Sequence, residues 1–138
     1  MDCPLCQPES ERVLWRDDRC RVIRVADAHY QGYCRVIWHG HVAEMTDLSS
    51  DDRAHLMKIT LATEVAVRRE FSPAKINLAS LGNMVPHLHW HVIARYADDA
   101  HFPDPIWAAP RRPSGAQATV SDTQLAIALT EWIGRMDD

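Results

Sequence analysis

The run His87-Leu88-His89-Trp90-His91-Val92-Ile93 constrains this chain more than any other stretch. Alternating polar and apolar residues have the period of a β-strand, whose successive side chains point to opposite faces. The spacing predicts a strand over 86–96 with three imidazoles in a row, roughly 7 Å from one to the next. Leu88, Trp90 and Val92 then face a core. Such a strand requires a sheet packed on one side and open on the other. Three uses of the row are compatible with the residues alone: a half-buried polar face, a three-histidine catalytic zinc site, or a nucleophilic imidazole supported by its neighbours.

The rest of the chain supplies partners for that strand. Residues 13–15 and 21–25 read as short strands around a turn at Asp17-Asp18, and 33–38 as a third after the turn at Gln31-Gly32. Ser49 with Asp51 and Asp52 opens a helix that runs to about Glu70, with Ala54, Met57, Leu61 and Val65 expected on its inner face. Ser72-Pro73 stops it, because the residue before a proline resists the helical region. Residues 75–80 form a fourth strand, followed by a turn at Leu81-Gly82-Asn83. A proline-rich stretch over 103–115 wraps the surface, and a capping box at Ser121–Gln124 opens a last helix that ends near Met136. The pattern is α+β, with a five-stranded, mostly antiparallel sheet, one long helix and a C-terminal helix.

With 138 residues the chain makes one domain that needs no disulfides, and 46% hydrophobic with 25% charged residues excludes a disordered or fibrous chain. A formal charge of −4 argues against binding nucleic acid by bulk charge, though not against a pocket for one small anion. No apolar run has the length of a membrane span, and the N-terminus lacks the pattern of a signal peptide, so a cytoplasmic protein without membrane partners is expected. Cys3-Pro4-Leu5-Cys6 has a spacing shared by zinc sites and thiol redox sites, and two unligated thiols are a third reading. A redox motif of this kind needs a preceding strand, and only two residues come before it.

The histidine run fits, at every position, the pattern His-φ-His-φ-His-φ-φ with φ apolar, and the chain over roughly 3–107 resembles the histidine triad (HIT) family of nucleotide hydrolases and transferases. Asp17-Asp18-Arg19-Cys20 is similar to that family's early strand turn. Val36-Ile37, His41-Val42 and Leu48 resemble its third strand, its following histidine and its entry to the helix. Asn77, ten residues before the run, is close to where the family keeps an asparagine that touches the nucleotide.

The resemblance implies a HIT domain over 1–110, with 111–138 as a tail and helix packed on or beside it. It implies that His89 is the nucleophile, taking up a nucleoside monophosphate from a phosphoramidate or a dinucleoside polyphosphate, and that His91 binds the phosphate oxygens and assists the leaving group. Contacts to phosphate or nucleotide are expected from Asn77, Gly82 and Asn83, and a purine slot from Ile23 and Val25. A homodimer and catalysis without a metal are implied as well. Bacterial relatives with an N-terminal C-x-x-C imply a structural zinc on Cys3, Cys6, His41 and His87, with His39 as a rival to His41. Two positions depart from the pattern. Tyr33 stands where a histidine is common, and Met84 where a serine or threonine donates to phosphate. These departures keep a second reading open, a nucleotide-binding module without useful catalysis. A zinc hydrolase with the triad as ligands is a third.

Outside the pattern, Trp107 is expected as a buried anchor and Arg95 as a strand-end residue. His29, His55 and His101 are expected at the surface, and Cys20 and Cys34 in the core.

Overall fold

Five strands in the order β1-β2-β3-β5-β4, every neighbouring pair antiparallel, form the single sheet of the computed structural model. The structure describes residues 3–7 and 9–136; Met1, Asp2, Pro8, Asp137 and Asp138, which fall within the expected segments 1–110 and 111–138, lie outside the described residues. The elements are β1 (Arg12–Arg16), β2 (Cys20–Arg24), β3 (Tyr33–Trp38), α1 (Ser50–Phe71), β4 (Lys75–Ala79), β5 (His89–Arg95) and α2 (Asp122–Arg135). The α+β class and the antiparallel sheet match the sequence reading.

One face of the sheet is packed. Cys20 and Val22 of β2, Cys34, Val36 and Trp38 of β3, and Val92 and Ala94 of β5 form a core with α1, joined by Leu125 and Leu129 of α2. Burial pushes the thiols of Cys20 and Cys34 up to about 12, so both act as small apolar groups. Gly32 lets β3 enter beneath α1: a Cβ there would stand 2.8 Å from that of Ala94 and 3.0 Å from the Phe71 ring.

The inner face of α1 differs from the expected one. Leu56, Ile59, Thr60, Ala62, Thr63, Ala66 and Val67 are buried, while Ala54 and Leu61 are exposed and Met57 and Val65 only half-buried. Thr60 and Thr63 enter the core because their hydroxyls donate 2.8 Å bonds to the carbonyls of Leu56 and Ile59, one turn back. A stripe read from apolar side chains alone therefore misses the true face. Ser49 caps the helix by accepting from the Asp52 amide, as expected.

A buried ion pair organises the other end of β5. Arg95 donates to Asp99 from Nε at 2.8 Å and from Nη2 at 3.1 Å, and both side chains are almost wholly buried. Asp99 also accepts from the Tyr30 hydroxyl and from the amides of Tyr96, His101 and Phe102. These donors hold its carboxyl well below the usual range, although burial acts in the opposite sense. Arg95 is thus a core group rather than a simple strand end. His101 is also buried, not at the surface, with Nδ1 2.6 Å from the Tyr30 hydroxyl. His55 is half-buried against Asp17, and His29 is exposed.

Removing Asp99 leaves a buried guanidinium without its anion. Asp99→Ala is therefore expected to cost about 3–5 kcal/mol, read by urea unfolding at pH 7; a loss under 1 kcal/mol would refute this account. Because the folded carboxyl is depressed, the stability it supplies is complete above its ordinary value of 3.8 and is lost only as the pH falls below that.

Candidate active site

The other face of the sheet collects the polar residues, several of them buried. Cross-strand register pairs His89 with Ile37 and His91 with Arg35, so Tyr33, Arg35 and Ile37 of β3 share a face with His89 and His91. Asn77 joins them from β4 and Ile23 from β2, through the pairs Asn77–Ile93 and Ile23–Arg35.

The first histidine does not extend the row. β5 begins at His89, because the chain at His87 and Leu88 takes a different course. The Leu88 amide donates to the Val42 carbonyl, and the His87 amide to that of Val85. This course turns the His87 ring into the protein, where it is fully buried and Nε2 donates to the Trp38 carbonyl at 2.6 Å. With Nε2 carrying the proton, Nδ1 presents a lone pair.

That lone pair faces a cluster. His87 Nδ1 lies 3.4 Å from the Cys3 thiol, 3.3 Å from that of Cys6 and 3.2 Å from His41 Nδ1. Cys6 and His41 are 3.1 Å apart, and all four donor atoms fall within 4.8 Å of one another. Bonds of the lengths zinc makes to thiolate and imidazole give tetrahedron edges of roughly 3.3–3.8 Å, so these spacings suit a tetrahedral ion after slight expansion. Burial pushes the Cys3 thiol up, but hydrogen bonds from Cys6 and from the backbone outweigh it and hold the thiol below its ordinary value. The four residues could hold a metal. His39 is not among them; it turns to the Asp17 carbonyl, 2.8 Å from its Nε2.

The other two histidines lie edge-to-face, ring centroids 4.9 Å apart, and both are buried. His89 Nδ1 donates to the His87 carbonyl at 2.6 Å, which leaves its Nε2 as a free lone pair. The Ser80 hydroxyl donates to the His89 carbonyl at 3.0 Å. His91 Nδ1 is 2.9 Å from the buried Tyr33 hydroxyl, and its ring meets Trp107 edge-on at 5.0 Å. Burial lowers both rings, the Arg35 charge adds to the effect, and His91 falls to about 4. Both imidazoles are therefore neutral at pH 7.

The remaining expected residues are spread around this pair. The Asn77 Oδ1 accepts from Arg95 Nη1 at 2.7 Å, which leaves the amide hydrogens of Asn77 for another partner. Gly82 sits in the loop before the triad with φ +76°, a conformation that suits glycine, and Asn83 beside it is exposed. Ile23 is buried with Leu5 and Ile37, whereas Val25 is half-buried against Tyr30, Tyr33, Ile93 and Ile106. Both line one groove together with Arg35. Met84 is 94% exposed, consistent with its having no donor to offer.

Sequence reasoning missed three neighbours of the pair. Trp107 is 51% exposed against His91 and is not a buried anchor, because the loop tied to Asp99 carries it to the open face. Tyr33, noted only as a departure, partners His91. Arg35 was overlooked, although a charge between Tyr33 and Ile37 in a strand of otherwise apolar spacing is a signal.

Comparison with known proteins agrees with this geometry. A histidine triad protein from Bradyrhizobium japonicum is 27% identical and superposes with a TM-score of 0.72, over 92% of this chain and 93% of the other. One from Marinobacter aquaeolei is 24% identical with a TM-score of 0.70, over 91% and 90%. A histidine triad nucleotide-binding protein of Sulfolobus tokodaii, at 18% identity, shares the fold with a TM-score of 0.65 over 98% and 94%. No curated protein matches significantly. The profile of the HIT domain matches residues 7–98, two-thirds of the sequence, and the chain belongs to the HIT domain family.

Proposed function

We propose that this protein transfers or hydrolyses nucleotides at the α-phosphate through a covalent nucleotidyl-histidine. Family membership supports a nucleotide-binding, hydrolase- or transferase-type function. One observation carries the finer reading: the His89 Nδ1 proton is committed to the His87 carbonyl, which leaves Nε2 as the lone pair of a neutral ring.

In this reading Nε2 of His89 attacks the α-phosphorus of a phosphoramidate or a dinucleoside polyphosphate. A phosphorus–nitrogen bond forms, and the bond to the leaving group breaks. The leaving group takes the electron pair and picks up a proton from water. The imidazolium so formed keeps its Nδ1–H bond to the His87 carbonyl, which stabilises its charge. The Tyr33 hydroxyl, donating to His91 Nδ1, leaves N–H on His91 Nε2 to bind the phosphate oxygens. Backbone amides near Gly82 and the Asn77 amide complete the contacts. Water then displaces His89 from phosphorus and releases the mononucleotide.

The donor set of Cys3, Cys6, His41 and His87 suits zinc, which would bind structurally, since four protein ligands leave no position for substrate. It would fix His87, whose carbonyl orients His89. Ile23 and Val25 would flank the nucleoside. A purine nucleotide substrate, a homodimer as the working unit and a cytoplasmic setting belong to the same reading and rest on family resemblance.

The decisive assay is release of mononucleotide from adenosine phosphoramidate and from diadenosine polyphosphates. His89→Ala is expected to abolish release while the fold survives, and intact turnover in that variant would refute the nucleophile. Failure of the wild type to release product while still binding AMP would reduce the protein to a binding module. The pH profile tests the neutral imidazoles. Since both are lowered below 6.5 and must be neutral to act, the acid-side loss of kcat/KM should be centred below pH 6.5; a loss centred at 6.5 or above would contradict this.

Metal analysis separates the two zinc readings. About one zinc per chain is expected, lost together with several degrees of Tm in Cys3→Ser and Cys6→Ser, and retained in His89→Ala. The reverse pattern would make the triad the metal site.

A further inference from the structure

The site lacks both the histidine common at position 33 and the hydroxyl common at 84. A phosphoryl group in transfer is strongly anionic, so a site with fewer donors needs charge from elsewhere. The structure holds one candidate. Arg35 projects onto the same face directly across from His91, at a register where cross-strand Cβ atoms are about 5 Å apart.

Its one near polar partner is the Tyr33 side chain, which leaves the guanidinium with donors to spare. Arg35 lies over the Tyr33 ring, 5.7 Å from the centroid, and so beside the hydroxyl that partners His91. Its Nε is buried and has no hydrogen-bond partner, an unusual state for a charged donor. Other arginines near this face are engaged: Arg21 is paired with Glu11, and Arg95 with Asp99. Among the described residues Arg35 has no carboxylate within salt-bridge distance. It forms part of an open groove of about 220 Å³ with Leu5, Ile23 and Val25. Glu9 and Glu11 also line this groove, and Glu11 is neutralised by Arg21. The charge of Arg35 is felt at His91, where it adds to burial in favouring the neutral ring.

We propose that Arg35 is a catalytic residue of this site, donating to the non-bridging oxygens of the phosphoryl group held at His89 and His91. The inference rests on the nucleotide reading above. It assigns to a fixed cation the work that a hydroxyl and an extra imidazole would otherwise do. An incoming phosphate also supplies the acceptor that the buried Nε lacks. Arginine suits the role because it remains charged beside titrating groups and presents a planar fork to phosphate oxygens.

The test compares Arg35→Met and Arg35→Lys with the wild type. Binding of AMP and of adenosine, which lacks the phosphate, is titrated, and kcat and KM are measured on adenosine phosphoramidate. In Arg35→Met, AMP should bind at least tenfold more weakly, adenosine should bind unchanged and kcat should fall at least thirtyfold. Arg35→Lys, which keeps the charge, should recover part of both losses. A parallel loss of adenosine binding would put Arg35 against the sugar or base and overturn the proposal, as would unchanged AMP binding and kcat. If the wild type binds neither ligand, the nucleotide reading itself falls and takes this inference with it. If it binds AMP without turnover, the binding arm still decides the contact, and a selective loss of AMP supports Arg35 as the phosphate ligand.

Discussion

Everything at the open face depends on how His87 is held. Its ring donates to the Trp38 carbonyl and turns its remaining nitrogen to Cys3, Cys6 and His41, so the side chain is fixed from two sides. Its main-chain carbonyl then accepts from His89, fixing which nitrogen of that ring is free. One residue thus links the N-terminal segment, the end of β3 and the His89 imidazole. A disturbance at the cysteines reaches His89 through this one residue and a hydrogen bond, without any need for long-range motion.

The same face is arranged to keep imidazoles uncharged. Burial is the largest cause for His87, His89 and His91 alike, and Arg35 lowers the last two further. A protonated imidazole has no lone pair to offer, so a neighbouring cation that discourages protonation also preserves the free nitrogen of His89. The ion pair of Arg95 and Asp99 supports the arrangement from the other end of β5. It orients Asn77 on one side and on the other anchors the loop that brings Trp107 to His91.

Much of this was legible in the sequence where local rules act alone. The alternation from His89 to Ile93, the cap at Ser49, the stop at Ser72-Pro73 and the cap at Ser121 each report a short-range preference, and the elements stand where those preferences put them. The expected metal set of Cys3, Cys6, His41 and His87 came from resemblance, and the fold brings those four atoms together. Tertiary balance was harder to read. Buried Thr60 and Thr63 mimic apolar residues only because each hydroxyl finds a carbonyl within its own helix. His87 leaves the strand because two amides find partners outside the ladder. Asp99 and His101 look like surface residues until the buried Arg95 is placed beside them.

Tyr33 shows how a departure from the family pattern can be more than a loss. A histidine there would place a further titrating ring near His91, and its protonation in mild acid would repel a second cation. The buried phenol cannot do this: burial pushes its pKa up, so the hydroxyl remains neutral and keeps its proton throughout the working range. It can therefore fix the His91 tautomer with one hydrogen bond and add no charge of its own. Its ring also offers a flat face on which the Arg35 guanidinium rests. Tyrosine at 33 and arginine at 35 form a unit, alternate residues of one strand, in which the first orients an imidazole and the second supplies a charge that an imidazole would carry only in acid.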